Sequence, residues 1–181
     1  MESPSDLNII LRDVRSFTGR HSIPVRPLTI LLGENSTGKS TFLAVASAVL
    51  DEASFPLRLA FNRPPYALGT HDNVLSNQSR KKSKSADLAV GFTLINPSHR
   101  ERSEVVATYA GRRGRIELSK LLLKGPKGQL TLSIEAGIVS GTLTIQDAGE
   151  QRQFDFHVPE AAIVGDLYSI VITSRRCPSS C

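Results

Sequence analysis

The stretch Leu28-Thr29-Ile30-Leu31-Leu32-Gly33-Glu34-Asn35-Ser36-Thr37-Gly38-Lys39-Ser40-Thr41 decides how the rest of this chain is read. From Gly33 onward it satisfies the spacing G-x-x-x-x-G-K-[ST] of a phosphate-binding loop. The five residues before the loop form a short apolar run of strand type, and Phe42 to Leu50 after it reads as a helix. Gly33 and Gly38 let the backbone curl so that successive N–H groups face phosphate oxygens. The start of the helix adds its positive end at the same spot. In this chemistry Lys39 bridges the outer phosphates and the Ser40 hydroxyl enters the magnesium shell. The bland alternative is an ordinary Gly/Ser/Thr turn. With glycine at roughly 7% of residues, a chance match in a chain of this length is on the order of one in a hundred or less. The expectation is a nucleotide-binding fold.

Upstream, Asn8 to Val14 reads as a strand, Arg15 to Arg20 as its turn, and His21 to Val25 as a short return strand. Pro24 and Pro27 donate no ladder hydrogen bond, so the return strand belongs at an edge. Leu28–Leu32 is nearly continuous in apolar character, which suits a strand buried on both faces of a sheet. The helix is expected from about Lys39 to Ala53, with Phe42, Ala46 and Val49 on one face. Residues 54–85 read as irregular, with Asn77 to Ser85 as a mobile tip.

From Asp87 the period changes to two. Leu88, Val90, Phe92 and Leu94 alternate with smaller or polar residues, as do Leu130, Leu132 and Ile134, then Leu143 and Ile145, then Phe154, Phe156 and Val158. Turn signals at Asn96-Pro97, Gly111 to Gly114, Gly125 to Gly128, Gly137 and Ala148-Gly149 separate these runs, which predicts an antiparallel meander. The segment Glu160 to Ile172 allows either helix or strand.

Composition narrows the class. Hydrophobic residues make up 40% and charged residues 22% of 181, a globular balance. No apolar run approaches the ~20 residues of a bilayer-crossing helix, and no signal peptide is visible. The two cysteines, Cys177 and Cys181, have no neighbouring ligands for a zinc site, so a reducing cytoplasm is expected. The net charge of +5 comes from the middle of the chain, where residues 80–127 carry 12 Lys/Arg against 4 Asp/Glu. That block, densest at Arg80-Lys81-Lys82-Ser83-Lys84, reads either as a nucleic-acid-facing patch or as solvated hairpin tips.

Two further stretches flank the loop: Asp13-Val14-Arg15-Ser16-Phe17 before it and Pro65-Tyr66-Ala67-Leu68-Gly69-Thr70-His71-Asp72-Asn73-Val74 after the helix. With Pro27 to Thr41 they make the chain resemble the N-terminal lobe of ABC-class ATPases of the SMC/RecF/OLD type, often described as AAA family or AAA-like ATPases. The resemblance is closest over residues 7–53 and fades beyond 94. The fold class it implies is α/β: an ABC/SMC-like P-loop NTPase N-terminal lobe with a large antiparallel β meander. It implies one unit over 1–181, with a strand–loop–helix core at 7–53, an irregular insert at 54–85, the meander at 86–158 and an unassigned tail at 159–181. It also implies ATP and Mg2+ as cofactors, with Arg15, Ser16, Gly33, Glu34, Asn35, Ser36, Thr37, Gly38, Lys39, Ser40 and Thr41 holding the nucleotide and Ser40 holding the metal.

Hydrolysis in this class needs an Asp-Glu pair after an apolar strand and a Ser-Gly-Gly signature from a second subunit. Asp51-Glu52 spells the first at the wrong end of the helix, Ala161 to Asp166 lacks the glutamate, and Ser140-Gly141-Thr142 lacks the second glycine. The GTPase motifs N-K-x-D and D-x-x-G are missing too. The tail Ser174 to Cys181 reads as an arbitrary stop. The resemblance therefore implies an ATPase in DNA repair or anti-phage defence whose turnover needs a C-terminal lobe or second subunit, as a homodimer in the complete protein. DNA is a candidate partner through residues 80–115, and a membrane is not. The alternative is a non-catalytic nucleotide sensor or a DNA-binding adaptor using the basic 80–127 region.

Overall fold

The computed structural model of the chain describes residues 6–59, 61–82, 86–96, 101–112, 115–147 and 150–159. Glu160 to Ile172, the tail and both cysteines lie outside the described residues. Eight strands make one sheet: β1 (Asp6–Val14), β2 (Phe17–Val25), β3 (Leu88–Asn96), β4 (Glu101–Arg112), β5 (Arg115–Gly125), β6 (Gly128–Glu135), β7 (Ile138–Asp147) and β8 (Glu150–Pro159). Their order is β2-β1-β3-β4-β5-β6-β7-β8, and every neighbouring pair is antiparallel. Between β2 and β3 the chain makes helix α1 (Lys39–Leu50) and two short helices, α2 (His71–Val74) and α3 (Asn77–Lys82).

The α/β expectation is overturned. The sheet is antiparallel throughout, and only 15% of the described residues are helical. The physical reason lies in the meander. Segments of period two joined by tight turns pair with their immediate neighbours, and no βαβ crossover is found among the described residues to build a parallel sheet. The turn between β6 and β7 illustrates this: Ala136 and Gly137 have φ of 50° and 80°, the pair of positive angles that a two-residue type I′ hairpin requires.

A second correction concerns Leu28–Leu32. This run is not a strand and is not buried. Leu28, Ile30 and Leu32 are 80%, 70% and 88% exposed, and only Leu31 packs against the core. After Val25 the chain leaves the sheet edge, Pro27 has no N–H, and the run pairs with no described strand. The return strand, by contrast, lies at the edge as its prolines require, and it starts earlier, at Phe17.

One face of the sheet is apolar. Ile9 and Leu11, Leu88, Val90 and Phe92, Val105, Ala107 and Tyr109, then Leu121, Leu132 and Val139 form a continuous core. Helix α1 closes part of it with Phe42, Val45, Ala48 and Val49, a stripe at helical spacing. Farther along, Phe92 of β3 and Phe156 of β8 line one apolar cavity of about 590 Å³, so the sheet curls around its apolar face. The opposite face is mixed: it buries Ile10 and Ala89 and carries several polar pairs. Thr142 donates to Asp155, His157 pairs with Ser140, and Glu104 accepts from both Arg20 and Arg102 at 2.9 Å.

Burial alone would raise the Glu104 carboxyl. The hydrogen bonds and charges of Arg20 and Arg102 outweigh it and hold the pKa below the ordinary value. A lowered folded-state pKa adds stability above the unfolded pKa, and that stability is lost as pH falls through the folded value. Glu104→Gln is therefore expected to lower the urea midpoint at pH 7 and to lose that deficit as the pH falls through the lowered pKa of the folded carboxyl. In the core, the Tyr109 hydroxyl is buried and donates to the Pro56 carbonyl at 2.6 Å, tying the segment after α1 to β4. Tyr109→Phe strands that carbonyl, so thermal unfolding should show a loss of about 1–2 kcal/mol.

Candidate nucleotide site

The loop from Gly33 to Gly38 leads directly into α1. Gly38 is the residue before the helix, with φ of 101°, and a Cβ there would lie 2.5 Å from the Ser16 hydroxyl and 2.9 Å from the Phe17 ring. Only glycine lets the loop pass this close to the β1–β2 turn. No side chain caps the α1 N-terminus, so its first amides stay directed at the cavity in front of them. Lys39 folds back over the loop, and its Nζ donates to the carbonyls of Gly33 and Glu34. Thr37 donates to the Glu34 carbonyl at 2.9 Å and braces the same turn.

Arg15 builds the second side. It follows β1 in a left-handed conformation (φ 47°), which turns its side chain toward the loop region. Its backbone N–H bonds the Val74 carbonyl at 2.7 Å, its Nη2 the Leu68 carbonyl at 2.9 Å and its Nε the Asn73 carbonyl at 3.2 Å. Asp13 works alongside: its carboxylate accepts from Gly19 N–H and the Ser79 hydroxyl, and its carbonyl accepts from Ser76 N–H. Together these bonds draw residues 68–79 against the β1–β2 turn. Helix α2 is pressed onto β4, where the His71 ring fills the space a side chain at Gly111 would need.

The result is an open, polar cavity of about 650 Å³. From the expected set it brings together Arg15, Ser16, Asn35, Ser36, Gly38, Lys39, Ser40 and Thr41. Gly33, Glu34 and Thr37 do not line it; they shape the loop from behind through the bonds to Lys39 and Thr37. The far wall consists of Asp72, Asn73, Leu75, Asn77 and Arg80, none of which was expected. Asn77 to Lys82 form helix α3 rather than a mobile tip. The signal was local: Ser76 accepts from Ser79 N–H at 3.2 Å as a helix-starting cap, and serine before a run of good helix formers marks such a start.

The donor set fits a polyphosphate: Lys39, Arg15 and Arg80 face one carboxylate, Asp72. For a divalent cation the protein offers little, the Ser40 hydroxyl and the Asp72 carboxylate on the cavity wall. No group of three or more His, Cys, Asp or Glu side chains is clustered for a metal among the described residues. A magnesium ion held here would take most of its oxygens from phosphate and water, as this ion ordinarily does.

The motif fragments elsewhere have structural roles. Asp51 ends α1, accepts the Ser54 hydroxyl at 2.6 Å and pairs with Arg63, at the far end of the helix from the cavity. Gly141 lies inside β7 beneath the Phe156 ring. The basic block is divided. Arg80 and Lys81 lie on α3, and Arg112 and Arg115 lie where β4 meets β5, both at the α2 end of the sheet. Arg102 sits at the other end of β4, bound to Glu104. No helix among the described residues is long and apolar enough to cross a membrane.

Compared with known proteins, the chain matches no family model, no curated protein and no solved structure.

Arg15→Ala removes two side-chain bonds that hold the far wall. Amide exchange in residues 70–76 is expected to quicken by about tenfold or more, with β5 to β7 unchanged. Equal exchange rates in the wall would show that Arg15 does not hold it.

Proposed function

We propose that this chain binds Mg·ATP through Gly33 to Thr41, as the nucleotide-binding part of an ABC-class, SMC/RecF/OLD-like ATPase. The observation that carries the reading is convergence. The loop, which carries Lys39 into the uncapped start of α1, and Arg15, from the distant end of β1, meet on one polar cavity. A chance Gly/Ser/Thr turn has no reason to gather cations at a helix start.

Hydrolysis is assigned to the assembly with a C-terminal lobe or second subunit. Among the described residues one carboxylate, Asp72, lines the cavity, so no carboxylate pair stands there to hold a metal and polarise an attacking water. The exposed side chains of Leu28, Ile30 and Leu32, directly before the loop, give such a partner an apolar surface to cover. The rival reading, a DNA-binding adaptor, has less support: the basic residues divide between two ends of the sheet, and Arg102 is held in an ion pair.

Equilibrium binding of Mg·ATP by the wild type and by Lys39→Ala tests the proposal. The lysine's removal is expected to weaken affinity by at least about tenfold, and equal affinities overturn the assignment. Purified chain by itself should release no phosphate above the Lys39→Ala background. Lys39-dependent release would show that the chain is a complete ATPase.

A further inference from the structure

Three cations reach the cavity, and they come from three parts of the chain. Lys39 belongs to the loop, Arg15 to the end of β1, and Arg80 to α3, outside any phosphate-binding motif. Arg80 is exposed, and among the described residues its side chain makes one hydrogen bond, from Nη2 to the Asn77 side-chain oxygen at 3.1 Å. That leaves most of its five donors for a ligand. Arg15 uses Nε and Nη2 on backbone carbonyls and keeps Nη1.

The rest of the lining is as informative. Leu75 is the one apolar side chain on the cavity wall, and no aromatic ring lines it among the described residues. Phe17 approaches Gly38 but packs on the core and stacks edge-on against His21, with ring centroids 5.5 Å apart. A nucleobase is ordinarily gripped by stacking on a ring or guanidinium plane and by polar groups converging on its edge. This cavity has no ring to stack on, and its guanidinium groups are better matched to charge. Three cations against one carboxylate suit a ligand carrying two or more negative charges, as a magnesium-bound nucleoside triphosphate does.

We infer that the cavity grips its ligand by the polyphosphate tail, with Arg80 as a third phosphate-binding cation beside Lys39 and Arg15, and leaves the base unread. The inference rests on the nucleotide-binding reading above and adds to it a ligand class and a residue. Nucleoside triphosphates of any base, and inorganic tripolyphosphate, are then ligands of similar strength.

The test is competition against a fluorescent N-methylanthraniloyl ATP in magnesium buffer, using the full chain. ATP, GTP, CTP and tripolyphosphate are expected to displace the probe within about threefold of one another. Arg80→Ala should weaken all four alike, by about tenfold for the loss of a charge-assisted contact, and Arg80→Lys should recover most of that loss. The unfolding midpoint should stay unchanged, since Arg80 is exposed. A preference of thirtyfold or more for one base overturns the unread base. Unchanged affinities in Arg80→Ala overturn the third cation. Absence of probe binding by the wild type overturns the nucleotide-binding reading itself and this inference with it, an outcome distinct from both others.

Discussion

Arg15 is the constraint on which the site depends. The β1–β2 hairpin needs a turn at Arg15-Ser16, and the register slips by one between Arg12 and Val14 to reach it. Asp13 and Arg15 take left-handed conformations there, at φ of 60° and 47°. Such angles are uncommon outside glycine and cost energy. The bonds each residue makes offset that cost: Asp13 anchors Gly19, Ser76 and Ser79, and Arg15 anchors Leu68, Asn73 and Val74. Without them residues 68–79 have little to hold them, because α2 and α3 are too short to be stable alone.

The packing around this turn is equally close. Gly38 brings the loop within contact of Ser16 and Phe17, so the β1–β2 turn touches the phosphate loop on one side and the 68–79 wall on the other. One hairpin turn therefore sets the spacing between the two halves of the cavity. The sheet beneath supplies stiffness: β1 is flanked by β2 and β3, and its apolar side chains pack beneath α1. A charged ligand needs donors already in place, because reorganising them on binding costs affinity. The antiparallel sheet would meet that need here without a parallel core.

The meander beyond β4 serves another end. Its apolar face curls into a cavity of its own, and its polar face is laced with cross-strand hydrogen bonds. Phe154 is 52% exposed on the outermost strand. Edge strands with exposed aromatics are common points of association, and β2, at the other edge, carries a proline that discourages pairing.

Local order was written in the sequence. The phosphate-loop spacing, the alanine-rich helix after it, the edge position of the proline-bearing strand and the alternation of β3 to β8 follow from side-chain size, backbone freedom and period, all of which act over a few residues. The fate of Leu28–Leu32 was not legible in that way. An apolar run becomes a strand only where another backbone offers hydrogen bonds, and periodicity carries no record of the partner. The second wall escaped for a related reason. Asp72, Asn73, Asn77 and Arg80 lie more than thirty residues from the loop, and although the first two belong to the stretch that carries the resemblance, none was assigned to the nucleotide. Only the folded β1–β2 turn, through bonds of Arg15 and Asp13 to distant backbone and side chains, brings those residues opposite Lys39. The sequence determined that a loop with phosphate-binding spacing runs into a helix. The tertiary structure decided what faces it and placed it beside an antiparallel sheet, because both depend on contacts between segments far apart in the chain.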